Sequence, residues 1–174
     1  MIERYSLSPI REIWELEAQY ERWLRVELAV IKAYEEYGLA PKGTAEQIRE
    51  KAKISVEGIA EIEKVVDHDV IAFIKYVTVD IDDAARYFHL GLTSSDVVDT
   101  ALSLAIKESG QLIIELMNKL SISLREKAVA HKETVCMGRT HGIHAEPTSF
   151  GLKLLSFLVE IEREIGRASC RERV

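Results

Sequence analysis

From Asp96 to about Lys132 the chain contains no proline, and apolar residues return at Val98, Ala101, Leu102, Ala105, Leu112, Ile113, Leu116, Leu120 and Leu124. Spacings of three and four place these side chains along one stripe of an α-helix. At ~1.5 Å of rise per residue the helix spans roughly 55 Å, more than a lone small domain needs. A rod of that length wants helical neighbours along its course, and long helices are favoured over a many-turned β architecture. Composition agrees: three prolines and nine glycines in 174 residues leave long stretches without a breaker, and 47% hydrophobic residues suffice for a core.

Ahead of that rod, Ile10, Ile13, Leu16, Tyr20, Trp23, Ile31 and Tyr34 share one face, so a single helix is expected from Pro9 to Tyr37. Ser8 would cap it, Pro9 suits its first position and Gly38 its stop. Thr44 to Gln47 fits a capping box opening a short helix, and another helix is expected after Ser55. Asp67 is expected to cap a further helix, with His68 in its first turn, and Phe88 to Asp96 reads as a loop. The expected organisation is an N-terminal helical domain over 1–92, the start of a central helical bundle over 93–163, and a tail over 164–174. That tail brings Arg167, Arg171 and Arg173 together with Gly166, Ser169 and Cys170, where the apolar period of Phe150 to Ile161 stops. It matches one reading frame of a short-read sequencing adapter, so the natural protein is expected to continue with other residues after about Arg163.

Charge and cysteine content narrow the function classes. The net charge is -6 and no Lys/Arg-rich block occurs, so no nucleic-acid partner is expected, and an anionic substrate would need a locally positive pocket. The start Met1-Ile2-Glu3-Arg4-Tyr5 lacks the features of a signal peptide and no apolar run approaches membrane length, which predicts a cytoplasmic protein with no membrane partner. Cys136 and Cys170 are too few for a disulfide framework.

Polar chemistry gathers between the helices. Of the five histidines, His68, His89, His141 and His144 fall at helix starts or in connections, where rigid elements hold binding groups. In His89-Leu90-Gly91-Leu92-Thr93-Ser94-Ser95-Asp96, hydroxyls stand immediately before the long helix; they can cap it, or its free N–H groups can receive a carboxylate or phosphate. The segment Gly138-Arg139-Thr140-His141-Gly142-Ile143-His144-Ala145-Glu146-Pro147-Thr148 sets a cation, a hydroxyl, two imidazoles and a carboxylate between glycines and a proline. Either His141 or His144 could serve as a general acid. Cys136, His141 and His144 match no standard zinc spacing. Arg4 and Tyr5 could grip a phosphate and stack on a ring, or be ordinary surface residues.

Four ordered segments together carry a resemblance over Met1 to about Arg163: Met1 to Ser6, Asp67 to Phe73, His89 to Thr100, and Gly138 to Thr148. In these the chain resembles the adenylosuccinate lyases of the fumarase/aspartase superfamily. The resemblance implies an all-α, three-domain subunit in a homotetramer, with active sites built from several subunits and no metal or organic cofactor. It implies a small-molecule substrate, a succinylated purine nucleotide, from which fumarate is eliminated. It assigns the acid that protonates the departing nitrogen to His141, and the nucleotide contacts to Arg4, Tyr5, Asp67, His68 and Asp69. His89 would lie near the phosphate, while Thr93, Ser94 and Thr140 are candidates for the succinyl carboxylates. The base implied is a serine on a glycine-rich loop far downstream, outside this chain, so the polypeptide alone is expected to be inactive. Two alternatives are another superfamily lyase, such as an argininosuccinate lyase, and a non-catalytic helical oligomerisation module.

Overall fold

A computed structural model describes residues 3–171 of the chain. After a 3-10 turn at Glu3–Tyr5 come α1 (Ile10–Ile13), α2 (Leu16–Glu36), α3 (Thr44–Lys51), α4 (Val56–Val66) and α5 (Asp69–Thr78). A second 3-10 turn, Asp83–Tyr87, leads to α6 (Ser94–Ala130), the strands β1 (Val135–Thr140) and β2 (Ile143–Ser149), and α7 (Phe150–Arg171). The fold is mostly helical, as the periodicity demands, and α6 is the 37-residue rod expected from the proline-free run.

Chain contacts divide the molecule into one unit up to Glu108 and another from Ser109 onward, the division falling within α6. The first unit closes around Trp23, Ile31, Ile48, Ile59, Val70, Phe73, Val77 and Val97, each at most 1% exposed. Trp23 meets Phe73 edge to face at 5.4 Å, and Tyr20 stacks on Phe73 at 5.8 Å, arrangements that suit the quadrupoles of aromatic rings. In the second unit, α7 starts close against the end of α6: a Cβ on Gly151 would lie 2.4 Å from the Ala128 carbonyl oxygen. Arg125 and Glu162 join the same two helices by an ion pair.

Four local expectations are corrected. The predicted Pro9–Tyr37 helix is two helices, because the chain leaves helical geometry at Trp14 and Glu15. The carbonyl of Ile13, left without an intrahelical donor, is taken by the Arg22 guanidinium, which also pairs with Glu108 at 3.0 Å. No side chain caps α1; the Ser8 hydroxyl instead helps hold the Glu12 carboxyl below its ordinary range. At α3 the capping box does not form. Gly43 precedes the helix at φ 88°, Thr44 donates its hydroxyl to the Pro41 carbonyl, and the Glu35 carboxylate of α2 accepts from the Ala45 N–H. Asp67 closes α4 in the left-handed region at φ 52°, while His68 flanks α5 and its Nδ1 accepts from the Ile71 N–H at 3.4 Å. By contrast, Ser55 caps α4 through the Gly58 N–H as its position suggests.

The fourth correction matters most for function. The polar segment after α6 is an antiparallel β-hairpin rather than a loop between helices. Val135 pairs with Ser149, Cys136 with Thr148, Arg139 with His144 and Thr140 with Ile143, with a bulge between Met137 and Arg139. Gly138 sits at that bulge, where a Cβ would come within 2.6 Å of the Glu146 carbonyl oxygen. His141 and Gly142 make the connection, at φ 52° and 74°. Positive φ at both central residues is what a type I′ turn requires, and that turn matches the twist of paired strands.

Candidate functional site

The α4–α5 corner presents the first group. Asp67 and Asp69 flank His68, whose Nδ1 lies 3.3 Å from the Asp69 carboxylate, and all three are exposed. Asp69 also accepts from the Val70 N–H at 2.7 Å, so its carboxylate serves the first turn of α5, where a negative charge is favoured. Burial first, and then the Glu63 and Asp69 carboxylates, push the Tyr20 phenol above its ordinary range.

The second group lies where the chain enters α6. Thr93 is the flanking residue of the helix: the Asp96 carboxylate reaches back to its N–H at 2.8 Å, while its carbonyl accepts from the Asp96 N–H at 3.0 Å. This is the reciprocal half of a capping box, and it leaves the first-turn N–H groups of Ser94 and Ser95 turned out of the helix end. Thr93 is exposed and Ser94 half-buried. Before them stands His89, in the left-handed region at φ 58°. Glu27, on α2, accepts from its backbone N–H at 2.9 Å and meets its ring Nδ1 at 2.6 Å. Burial pushes the Glu27 carboxyl above its usual range, and the bonds from His89 pull it part of the way back. Tyr34, two turns further along α2, donates its hydroxyl to the Leu90 carbonyl at 2.6 Å, anchoring the same loop.

Arg4 and Tyr5 stand in the first 3-10 turn, both exposed, with the guanidinium 4.8 Å from the centre of its neighbour's ring. In the second unit, His141 and Thr140 lie at the exposed tip of the hairpin; Arg139 and His144, directly paired, share one face of it, and Thr140 and Ile143 the other. Among the described residues, no hydrogen bond or ion pair joins the Asp67–Asp69 group to His89, Thr93 or Ser94. Nor do any three of His, Cys, Asp and Glu gather as metal ligands there.

Glu27 is the residue that sequence reasoning missed. The signal was present: it falls between Trp23 and Ile31 on the core stripe of α2, where a carboxylate is out of place unless it has a partner. Backbone strain supplies a second signal. The non-glycine residues with positive φ among those described are Asp67, His89 and His141, one in each of three polar motifs. Such conformations are costly for residues with a Cβ and persist where the surrounding structure imposes them.

A family model described as lyase matches residues 3–172. The chain is 52% identical over 167 residues to an adenylosuccinate lyase of Thermotoga maritima and 47% identical over 167 residues to one of Synechocystis. Each alignment covers 96% of this chain and 39% of the relative, so the chain spans about two-fifths of their length. Among solved structures it is similar to a fumarate lyase of Mesorhizobium, with a TM-score of 0.86 and 26% identity over 92% of this chain and 38% of that one. It is also similar to a 3-carboxy-cis,cis-muconate lactonizing enzyme of Pseudomonas putida, with a TM-score of 0.87 and 27% identity over 95% of this chain and 39% of that one. With the match running through the α4–α5 corner, the entry to α6 and the hairpin alike, the chain belongs to this lyase family.

Proposed function

We propose that the protein to which this chain belongs is an adenylosuccinate lyase, eliminating fumarate from adenylosuccinate to give AMP and from the succinylated carboxamide ribotide of purine synthesis. The observation that carries the reading is the 52% and 47% identity to adenylosuccinate lyases over 167 residues, a stretch that takes in the polar motifs around Asp67, His89 and His141. These motifs are the segments in which the sequence resembles adenylosuccinate lyases.

The elimination breaks a carbon–nitrogen bond. A base takes the proton from the carbon beside a carboxylate, the electron pair forms the carbon–carbon double bond of fumarate, and the departing nitrogen takes up a proton. His141, on the rigid tip of the hairpin, is the acid that delivers that proton. Thr93 and Ser94, at the positive end of α6, and Thr140, beside the acid, hold the succinyl carboxylates and the charge that develops between them. Arg4, Tyr5, Asp67, His68 and Asp69 contact the nucleotide, with His89 near its phosphate. The base is a serine in the remainder of the protein. The reading also carries a homotetramer in the cytoplasm and no metal or organic cofactor.

The test is to supply the complete protein with adenylosuccinate and follow fumarate. Fumarate release with AMP supports the reading. A second reading, that of another superfamily lyase, draws on the solved structures of differing activity that share this fold. Fumarate from argininosuccinate in place of adenylosuccinate would establish it. Release from neither substrate would favour an oligomerisation module.

A further inference from the structure

We propose that Glu27 is a positioning residue: its buried carboxylate grips His89 at two points, holding the ring with Nδ1 turned inward and leaving Nε2 as the nitrogen that meets a ligand. The inference rests on the reading that His89 contacts substrate, and it adds a residue from α2, an element whose own sequence contains none of the polar motifs.

The side chain of Glu27 is 1% exposed and that of His89 16%. A carboxylate stripped of water is destabilising unless hydrogen bonds replace the lost solvation. On the core stripe of α2 a leucine would fill the same space without that cost. The partners of Glu27 are both on one residue: the His89 backbone N–H at 2.9 Å and the ring Nδ1 at 2.6 Å. The first bond holds the backbone in its left-handed conformation, φ 58°. The second decides the ring, because a carboxylate only accepts and Nδ1 must then carry the hydrogen. Nε2 lies on the opposite edge of the imidazole, away from the grip. An outer group that fixes the orientation and tautomer of a working histidine commonly changes its performance by a large factor when removed.

The second anchor from α2 supplies a control. The Tyr34 hydroxyl bonds the Leu90 carbonyl and touches no ring nitrogen of His89. Tyr34→Phe therefore loosens the loop without releasing the imidazole.

The experiment is a double-mutant cycle in the complete enzyme, with KM and kcat for adenylosuccinate read together with thermal unfolding. His89→Asn is expected to raise KM on the order of 10-fold or more, and Glu27→Gln, nearly the same shape, to do the same with kcat changing less. The double variant is expected to be no worse than either single one, and Tyr34→Phe to leave KM within about 2-fold of the parent, since non-additivity marks residues that act as one unit. Wild-type kinetics for Glu27→Gln, or two factors that multiply in the double variant, would overturn the proposal. If His89→Asn itself changes neither constant, the assignment of His89 to the site has failed, an outcome distinct from the first. Should Glu27→Gln not fold, ring-15N histidine spectra of the unaltered enzyme decide, with the His89 signals identified by their loss in His89→Asn. A hydrogen on Nδ1 supports the grip, and a bare Nδ1 refutes it.

Discussion

The two units of the chain solve opposite problems. Up to Glu108, helices close around Trp23, Phe73 and the aliphatic residues that meet them, and these side chains lie fully inside, while Tyr5, Leu7, Tyr37 and Val65 stay exposed. From Ser109 onward, Leu158 at 4% is the buried large hydrophobic residue among those described, while Ile113, Leu116, Leu120, Ile122, Leu152, Leu155, Phe157 and Val159 are between 42% and 58% exposed. Apolar faces of that extent mark surfaces that associate. The first unit thus encloses a hydrophobic core of its own. The second presents most of its large hydrophobic residues at the surface, together with a hairpin whose two-residue turn is His141-Gly142. What separates the units is the enclosed core: the first has one, and the second leaves most of its large apolar side chains at the surface.

Replacement of the proposed acid tests the second unit most severely. His141→Ala in the complete enzyme is expected to lower kcat by about 10²–10⁴-fold with KM changed far less. Unchanged turnover would remove His141 from that role. In the first unit the largest effect is on stability: Phe73→Ala is expected to cost about 3–5 kcal/mol, read from denaturant midpoints. Leu116→Ser, at an exposed position of α6, is expected to change stability by no more than about 0.5 kcal/mol while weakening self-association in sedimentation. A Leu116→Ser effect as large as that of Phe73→Ala would erase the contrast between the units. At the hairpin, Gly142→Ala places a Cβ at φ 74° and is expected to cost about 1–2 kcal/mol locally, seen as faster hydrogen exchange in β1 and β2.

The smallest effect is a slope with pH. Because the folded chain raises the Glu27 carboxyl above its ordinary value of 4.5, it binds that proton more tightly than the unfolded chain does. The stability linked to the proton is fully present below 4.5 and is lost as pH rises through the raised value. Glu27→Gln has no such proton to lose, so its melting temperature is expected to gain on that of the parent between pH 4.5 and neutrality. A difference that stays flat, or runs the other way, would contradict the raised carboxyl.

The features legible in the sequence are those written in local spacing. The rod α6 follows from a period of three and four uninterrupted by proline, and the polar motifs stand out because helices rarely place so many imidazoles and hydroxyls at their junctions. The hairpin was not legible for physical reasons. Its turn is His141-Gly142 rather than the Asn-Gly or Asp-Gly that signals a two-residue connection, and Pro147 sits within β2, where a proline argues against a strand. The break between α1 and α2 carries a bond from Arg22 to the Ile13 carbonyl, a contact that no periodicity encodes. Glu27 and His89 are 62 positions apart, and only the folded chain makes them one unit.

The connection between β1 and β2 has only two residues, and one of them is His141. A third residue inserted there would replace the type I′ turn by a three-residue loop and point the imidazole in another direction. At this place the number of residues, and not only their identity, sets where His141 points: a replacement changes one side chain, whereas an insertion or deletion changes the direction in which the imidazole is held.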